Sequence, residues 1–506
     1  MAGSRFSSHP GLLMASVMVA TIMYAMDTTI ANIVLPQLQG SLQASQEQIA
    51  WVLTSYIVVS AIFTPLLSPL ANRFGIARVL MVGIVFFTIA SLLCGMARSL
   101  PEMVAFRILQ GASGAALIPL SQSILLNAFP RERHASILAL WGVGVMIGPI
   151  IGPTLGGYLT DQFNWRWVFL INLPIGILAL LGIAATVPRD RPHSPRRFDA
   201  LGYLLLAGAI GTLQLFLDRG NVKDWFNSPE IVAEAGMACV FLYLFIVHSL
   251  TTEHPFYTPA LFRDRNFVLG SFLICMVLVG MFATMALLPL FLQRLQGYTV
   301  FEAGLLLAPR GAGMAMMSLL VGKVLHDRQP RYLIAAGMAL VACSTWWVSK
   351  FNLDVSGGPI VASGILQGMG VGLIVAPLMA ATFATLDESL RVEGTALYAV
   401  LRNLGGSIGI SMAFTVLARG MQSNQARLVQ HLSALDVGKW RMLHDLFGPH
   451  AEAVASQEVS RQAALMAFVA DFRLLFLVML CGIPMVFLMR GGREAAAVEA
   501  PETLSA

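Results

Sequence analysis

Charged residues are scarce in this sequence of 506 residues. Asp, Glu, Lys and Arg make up 12% of the chain, whereas they make up about 25% of an average soluble domain. Apolar residues make up 57%, and the mean hydropathy is +0.74. So few polar side chains cannot cover a water-facing surface, which excludes a soluble enzyme, a secreted disulfide scaffold and a disordered chain. The composition therefore predicts a membrane protein embedded in the lipid bilayer.

The sequence also lacks the patterns of metal, redox and nucleotide chemistry. None of its five cysteines is spaced as CxxC, and all lie in apolar stretches, so we interpret them as small apolar side chains. The Gly-Lys pairs at 322–323 and 438–439 lack the other residues of a phosphate-binding loop. We therefore expect no metal and no cofactor, and an ion gradient rather than ATP as the energy source. The formal charge of +5 is spread over short loops and does not indicate a nucleic-acid partner.

Fourteen apolar segments are long enough to cross a bilayer, since a spanning helix needs about 20 mainly apolar residues. They lie at about 12–36, 49–71, 77–98, 102–127, 135–159, 166–187, 199–217, 232–250, 267–292, 302–323, 332–350, 357–380, 392–417 and 471–489. With a cytoplasmic N-terminus, 17 basic residues fall in the inner segments and six in the short outer loops. This bias predicts that both termini are cytoplasmic. The polar stretch 418–470 is then external, and we interpret it as an exposed, partly helical insert.

A short sequence recurs in the two halves of the chain. Ile-Leu-Gln-Gly at 108–111 is repeated at 365–368, and the same offset of 257 residues takes Gly148 onto Gly405. Such a duplication is typical of transporters that bind substrate between two halves near mid-membrane. The sequence thus predicts an all-α polytopic fold in three parts. They are an N-terminal six-helix bundle at 1–188, two inserted helices at 189–252, and a C-terminal six-helix bundle at 253–506 that includes the external insert.

The fifth predicted span carries a glycine at every fourth position, so that the glycines line one helix face and let another backbone approach closely. Two prolines in the same run remove hydrogen-bond donors and predict a bend. The motif residues are Gly144, Gly148, Pro149, Gly152, Pro153, Gly156 and Gly157. Ordinary packing of small residues would give a similar pattern. The run also resembles the antiporter motif of the major facilitator superfamily, in the span where that motif belongs.

Further segments resemble the 14-helix drug:proton antiporters of that superfamily. They are Asp-Thr-Thr-Ile-Ala-Asn-Ile-Val-Leu-Pro at 27–36, Arg-Ile-Leu-Gln-Gly at 107–111 and the cytoplasmic loop Ser-Pro-Leu-Ala-Asn-Arg-Phe-Gly at 68–75. In the loop, the predicted gating residues are Asn72, Arg73 and Gly75, with Asn72 standing where Asp is usual. The resemblance runs through nearly all spans and is strongest to the EmrB-type multidrug exporters of Gram-negative inner membranes.

This resemblance implies a proton-driven antiporter that exports hydrophobic or amphipathic drugs by alternating access across the inner membrane. It also implies a periplasmic membrane-fusion adaptor and an outer-membrane channel as partners, so the external insert is either an adaptor-docking surface or a solvated hairpin. A transporter of one metabolite, for example a fatty acid or siderophore, is the alternative on the same fold. An intramembrane enzyme would need paired acids or histidines at matching depth, which the spans do not supply.

One acid and three arginines lie well inside the predicted spans, where a charge is costly and indicates function. At 1.5 Å per residue, Asp27 lies about 22 Å from the cytoplasmic edge of a core about 30 Å thick, and Arg107 about 8 Å from the outer edge. The two meet if the first and fourth spans are neighbours. Arginine favours the charged carboxylate and burial the protonated form. We therefore expect Asp27 to carry the proton and Arg107 to modulate it, with a static ion pair as the alternative.

The remaining two arginines predict a substrate site near mid-depth. Arg310 lies about 12 Å from the outer edge and Arg402 about 15 Å from the inner edge. One or two cations in an adaptable apolar cavity would suit bulky, weakly acidic, amphipathic molecules. The predicted substrate-contacting residues are Arg402, Arg310, Met23, Tyr56 and Gln110. The Met and aromatic positions are also explained by plain packing or lipid contact.

Overall fold

The computed structural model describes residues 10–129, 134–187, 198–324, 330–387, 390–430, 445 and 450–490. Within these ranges the chain is built from α-helices and short 3-10 turns, without strands. In lipid every backbone N–H and C=O group must find a partner inside the protein, and a helix provides those partners within one segment. The long apolar runs therefore become helices.

The helices of the first part of the chain are α1 (Pro10–Ile33), α2 (Leu35–Ser41), α3 (Gln46–Phe63), α4 (Leu67–Phe74), α5 (Ile76–Met96), α6 (Leu100–Gly114), α7 (Leu117–Ala128), α8 (His134–Gln162), α9 (Trp167–Leu170) and α10 (Asn172–Thr186). Those of the remaining part are α11 (Ala200–Arg219), α12 (Pro229–Thr251), α13 (Arg265–Arg294), α14 (Val300–Leu307), α15 (Pro309–Val324), α16 (Pro330–Val348), α17 (Gly357–Phe383), α18 (Arg391–Gln430) and α19 (Ala451–Phe487).

Among the described residues, eleven helical segments are long and apolar enough to cross a membrane. The pair α3 and α4, bent by 56°, makes a twelfth if it is one span. The predicted segments 135–159 and 302–323 coincide with α8 and with α14 and α15, which are outside that count. The prediction of an all-α, multi-pass membrane protein is confirmed. The count of fourteen spans, the two-bundle layout and the domain limits stay predictions, and the limit at 188/189 lies outside the described residues.

The described residues of the stretch 418–470 are mostly helical and continue α18 and α19, so the predicted partly helical insert begins and ends as extensions of these two helices. α18 has 40 residues and α19 has 37, which makes them about 60 and 55 Å long against a hydrocarbon core about 30 Å thick. Their extensions pack side by side: Asn424 Nδ2 donates a hydrogen bond to the Ala463 carbonyl at 3.4 Å. Charge sets where a helix leaves lipid, but it does not end the helix, since Gln, Arg and Ala are good helix formers in water.

The first helix lies at the centre of the first part of the chain. α1 packs against α7, α8 and α10, and its buried residues, such as Leu13, Val17 and Met23, join one hydrophobic cluster with Phe87 and Leu117. A polar residue on α1 is therefore enclosed by several helices at once, which positions the site described below.

The two predicted inserted helices pack against each other, and α11 also contacts α3 and α18. Tyr203 Oη donates to the Ile62 carbonyl at 3.3 Å, and Ser411 Oγ donates to the Leu217 carbonyl at 2.6 Å. Because Ile62 is on α3 and Ser411 is on α18, α11 joins the first part of the chain to the last.

The repeated Ile-Leu-Gln-Gly sequence makes matching contacts at its two positions. A Cβ on Gly111 would clash with the Tyr56 carbonyl oxygen, and a Cβ on Gly368 with the Arg310 carbonyl oxygen. In each case the missing side chain lets two helix backbones touch. The repeat thus has a packing reason in both places.

Candidate functional site

Asp27 lies in a buried polar cluster to which α1, α3, α5, α6 and α10 contribute. Arg107 Nη1 is 2.8 Å from Asp27 Oδ2, and neither residue is exposed to solvent. The contact between the first and fourth predicted spans, expected from the depth of the two charges, is therefore present. The roles of these residues in proton transport stay predictions.

Two carboxamides complete the surroundings of the Asp27 carboxylate. Gln110 Nε2 and Asn172 Nδ2 each donate a hydrogen bond to Asp27 Oδ1 at 2.9 Å. With Arg107, the carboxylate thus accepts hydrogen bonds from three donors on two other helices. The donors favour the negative charge, whereas complete burial opposes it. The carboxylate is therefore fully enclosed and held by charge-assisted hydrogen bonds.

Arg107 is held from several directions. Its Nε donates to the Val52 carbonyl at 3.0 Å, and its Nη1 also donates to Gln110 Oε1 at 2.8 Å. Its guanidinium carbon lies 4.1 Å from the centroid of the Tyr56 ring, a cation–π contact. The guanidinium is therefore held by α3 as well as by Asp27 and Gln110.

Asn172 is a site residue that the sequence pattern did not reveal. Besides Asp27, its Nδ2 reaches Ser91 Oγ at 2.9 Å, and Ser91 Oγ in turn donates to the Phe169 carbonyl at 2.8 Å. Within the described part of the chain, Asn172 Oδ1 has no hydrogen-bond partner. A carboxamide inside an apolar run was the available signal, because a buried amide needs a hydrogen-bond partner.

The glycine face of α8 packs directly on the part of α1 that carries Asp27. A Cβ on Gly148 would lie 2.6 Å from Ala25 Cβ and from the Met26 backbone nitrogen, and a Cβ on Gly152 would lie 2.5 Å from Thr29 Oγ1. Gly144 and Gly156 extend this contact toward the two ends of α1, against Met18 and Ile30. A Cβ on Gly157 would meet no atom within 4 Å, so this glycine belongs to another face of α8.

The prolines of the same motif lie within a continuous helix. α8 runs from His134 to Gln162 through both positions, while the side chains of Pro149 and Pro153 are outside the described residues. The predicted bend therefore stays a prediction.

Three of the predicted substrate contacts are buried in this conformation. Met23 and Gln110 are 0% exposed and Tyr56 is 1% exposed. Gln110 and Tyr56 belong to the Asp27 cluster, and Met23 to the hydrophobic cluster around α1. A substrate can reach these side chains only if helices move, so their role in binding stays a prediction.

The two predicted substrate-binding arginines are half-buried and lie apart from the Asp27 cluster. Arg402 Nη1 donates to Gln122 Oε1 at 3.3 Å, which joins α18 to α7. Arg310 Nη2 donates to the Met281 carbonyl at 3.4 Å. Neither bond is to a charged partner, so both cations can attract an anionic ligand.

The predicted gating loop forms the end of α4 and the turn after it. Asn72 and Arg73 are exposed, and the Arg73 guanidinium carbon lies 5.5 Å from the Phe74 ring centroid. Gly75 has φ of 90°, a left-handed conformation that favours glycine and lets the chain turn into α5. The conformational need for Gly75 is clear, whereas gating by the loop stays a prediction.

The spans contain more buried acid than the sequence predicts. Asp471 on α19 is 2% exposed and Glu234 on α12 is 6% exposed. In the described chain, Asp471 Oδ2 has no hydrogen-bond partner. Both acids stand at the edge of a predicted span, so that the sequence placed them near water. Their helices begin earlier than predicted, and neighbouring helices cover them.

Comparisons with known proteins agree with this architecture. A model of the Major Facilitator Superfamily matches residues 17–410. The multidrug export protein EmrB of Escherichia coli (strain K12) is 36% identical over 441 residues, which cover 87% of this chain and 84% of that protein. The fatty acid resistance protein FarB of Neisseria gonorrhoeae is 36% identical over 416 residues, which cover 82% of each.

A solved structure supports the fold alone. The crystal structure of a bacterial homolog to the human lysosomal transporter Spinster, in an inward-facing and unoccupied conformation, aligns with a TM-score of 0.57 at 14% identity. The alignment covers 97% of this chain and 98% of that one.

Proposed function

The chain belongs to the Major Facilitator Superfamily of transport proteins, and we propose that it is a proton-coupled antiporter that exports hydrophobic or amphipathic drugs by alternating access. The observation that carries the proposal is the buried Asp27 carboxylate, with its three donors, on a helix packed against a face of glycines. That arrangement joins a protonatable group to a helix that can move.

Protonation of Asp27 changes what holds α1 in place. In the charged state the carboxylate is bound by Arg107 of α6 and Asn172 of α10. Separating a buried ion pair leaves an uncompensated charge and costs about 3–5 kcal/mol. A proton on Asp27 removes the negative charge, so that α1 can leave Arg107 without that cost. Movement of α1 therefore follows proton binding.

The glycine face of α8 allows α1 to slide or tilt against it. Glycines 144, 148, 152 and 156 present backbone rather than side chains to residues 18–30 of α1. A surface without projecting side chains resists sliding and tilting less than an interlocked one. Asp27 thus lies on a helix that can rearrange as a unit when its charge is neutralised.

The relatives support drugs as the substrate class, because the name of EmrB describes multidrug export. A second candidate is export of fatty-acid-like anions, since FarB is named for fatty acid resistance. The half-buried Arg310 and Arg402, each bonded to a neutral oxygen, favour an anionic amphiphile. Both candidates use the same proton site.

We further propose that the protein lies in the inner membrane with both termini cytoplasmic, as the distribution of basic residues indicates. The extensions of α18 and α19 then project beyond the outer surface and would dock a periplasmic adaptor that leads to an outer-membrane channel. Their length supports this assignment, because about half of each helix is not needed to cross the hydrocarbon core.

The test of proton coupling is drug transport by purified protein in liposomes under an imposed pH gradient. Wild type should transport in response to the gradient, whereas Asp27→Asn should lose the response. Asp354→Asn is the matched control, because Asp354 is exposed in a loop. Gradient-driven transport by Asp27→Asn with a normal pH dependence would refute the carrier role.

The two substrate candidates are separated with the same vesicles. Arg402→Ala should weaken binding of a long-chain fatty acid and leave binding of a neutral drug unchanged. Equal binding of the fatty acid to wild type and variant would remove the anion-recognising role of Arg402.

Adaptor docking is tested by shortening the extensions. A Cβ on Gly420 would lie 3.0 Å from Ala467 Cβ, so a short linker can replace residues 421–466. The shortened protein should transport in vesicles and fail to pull down the adaptor. Normal pulldown would contradict the docking role.

A further inference from the structure

α11 lies between α3 of the first part of the chain and α18 of the last part, and it contacts both helices. At its end, three consecutive residues contact three different helices: Leu217 contacts α18, Asp218 contacts α3, and Arg219 contacts both α3 and α12. In the proposed orientation this is the outer end of α11. A transporter that opens alternately to the two sides must part its halves at this end, so these contacts cannot all persist through the cycle.

α11 is bound to α3 along most of its length. Near its beginning, Tyr203 Oη donates to the Ile62 carbonyl at 3.3 Å, and a Cβ on Gly211 would lie 2.8 Å from Ile62 Cδ1. Near its end, the Asp218 carboxylate accepts a hydrogen bond from the buried Thr54 hydroxyl. Hydrogen bonds to a charged group are roughly twice as strong as bonds between neutral groups. Contacts at the beginning, middle and end therefore fix α11 to α3.

Arg219 extends this unit to α12. Its Nη1 is 2.5 Å from Glu234 Oε1 and its Nη2 is 2.7 Å from Glu230 Oε2, both on α12. Its guanidinium carbon also lies 5.1 Å from the centroid of the Trp51 ring on α3, a cation–π contact. The two inserted helices and α3 are therefore held together at this end through the charge of one side chain.

The contact with α18 at the same end is different in kind. Among the described residues, the hydrogen bond that joins the two outer ends runs from Ser411 Oγ to the Leu217 carbonyl, at 2.6 Å. Leu217 lies in the last turn of α11, where carbonyls lack partners within the helix. Both groups are neutral, so this bond is weaker than the charged contacts that Asp218 and Arg219 make.

The inner half of α11 meets α18 through apolar side chains. Leu206 and Ile210 of α11 belong to one hydrophobic cluster with Leu397 and Val400 of α18. Apolar packing has no fixed direction, so α18 can tilt at this end without losing the contact. The Ser411 hydrogen bond, in contrast, forms only while the two outer ends are adjacent.

We propose that the hydrogen bond between Ser411 and Leu217 is an outer latch, which holds α18 against the unit of α3, α11 and α12 while the outer side is closed, and which breaks when that side opens. Separation takes place at the latch because it is the weakest of these contacts at the outer end. The proposal rests on the alternating access proposed above. It gives the two inserted helices a role, since they carry the acceptor of the latch and move with α3.

Pairs of spin labels measure whether the helices part. The labels replace Gln48 at the beginning of α3, Val222 just after α11, and Ala418 on the outer part of α18, all of which are exposed. The four cysteines that are not buried are first changed to alanine in the full-length protein. Distances between two labels are then measured by pulsed electron paramagnetic resonance in lipid nanodiscs at a series of pH values.

Ser411→Ala should raise the ratio of parted to closed outer ends, which is read from the distance between labels at positions 48 and 418. The expected rise is about fivefold, which corresponds to the loss of about 1 kcal/mol from one neutral hydrogen bond. Thr415→Ala is the matched control and should leave the ratio unchanged, because Thr415 Oγ1 donates to the Ser411 carbonyl at 2.7 Å within α18 itself. An unchanged ratio in Ser411→Ala, or an equal rise in Thr415→Ala, would overturn the proposal.

The label at position 222 decides which helix α11 follows. When the outer ends part, the distance between positions 48 and 222 should stay constant, and the distance between positions 222 and 418 should lengthen. The reverse result would show that α11 stays with α18, and it would also refute the latch. Failure of proton coupling is detected separately, as gradient-driven transport by Asp27→Asn in liposomes.

Discussion

Replacing Asn172 by leucine should shift the pH dependence of transport to higher pH. Leucine keeps the branched shape of the side chain, with methyl groups in place of the amide oxygen and nitrogen, but no longer donates to Asp27 Oδ1, to which Asn172 Nδ2 is bonded at 2.9 Å. Both residues are 0% exposed, so water does not replace the lost donor. The negative carboxylate loses a hydrogen bond, while the protonated carboxyl group depends on it less.

The size of the shift follows from the strength of that bond. A hydrogen bond to a charged group contributes about 1.5–3 kcal/mol. The charged form of Asp27 should lose that much stabilisation, so the midpoint of the transport pH profile should move measurably to higher pH. The variant should still fold, because the substitution also removes Asn172 Oδ1, which has no partner in the described structure.

The assay is the initial rate of transport in proteoliposomes at a constant pH difference and a series of internal pH values. Asn266→Leu is the control: Asn266 is 1% exposed on α13, and its Nδ2 donates to the Ala381 and Arg490 carbonyls at 3.2 Å. It should lower thermal stability and keep the wild-type midpoint. An unchanged midpoint in folded Asn172→Leu, or the same shift in Asn266→Leu, would refute the reasoning.

Three other substitutions have defined outcomes. Gly148→Ala forces a Cβ within 2.6 Å of the Met26 backbone, so it should lower the free energy of unfolding by about 1–3 kcal/mol and slow transport. Gly157→Ala is the control, because the space around Gly157 is open, and it should change neither property. Equal effects of the two substitutions in thermal-shift and transport assays would contradict the packing argument. Burial raises the pKa of Asp199, but hydrogen bonds from two backbone N–H groups and from His248 outweigh it and hold that pKa below its usual value. Asp199→Asn should therefore lower the Tm at neutral pH, and the difference from wild type should close as the pH falls below about 4. A difference in Tm that stays constant with pH would show that the negative charge of Asp199 does not stabilise the fold. Asp471→Leu removes a buried carboxyl oxygen that has no hydrogen-bond partner in the described structure, so it should raise the free energy of unfolding by about 1–3 kcal/mol and leave transport intact. Loss of transport in the folded variant would instead indicate that Asp471 has a functional role.

Much of the site could be predicted from the free-energy cost of placing a charged side chain in lipid, because charged residues can be identified in the sequence. A charge in lipid is expensive wherever the helix is placed, so Asp27 and Arg107 stood out from their apolar neighbours. Counting residues along each helix placed them at similar depth. Their contact at 2.8 Å follows from that depth once α1 and α6 are neighbours.

Residues whose role depends on a neighbour could not be found in this way. An Asn or Gln carries no charge, so the sequence does not show whether Asn172 bonds to Asp27 or to its own backbone. Asp471 and Glu234 lay at the edges of apolar runs, and only the packing of other helices shows that they are buried. The hydrogen bond from Tyr203 Oη to the Ile62 carbonyl requires α11 and α3 to meet, although the two residues are 141 positions apart along the chain.

The sequence by itself determined that this protein is a helical membrane protein and that Asp27 and Arg107 are among its costly charges, because hydropathy and helical rise are local properties. It also indicated the glycine face of α8, since spacing along one helix defines a face. Only the tertiary structure decided which donors reach the carboxylate, that the extensions of α18 and α19 pack side by side, and that α11 contacts both α3 and α18. Those features depend on distances between segments far apart in sequence, which packing sets and local patterns do not encode.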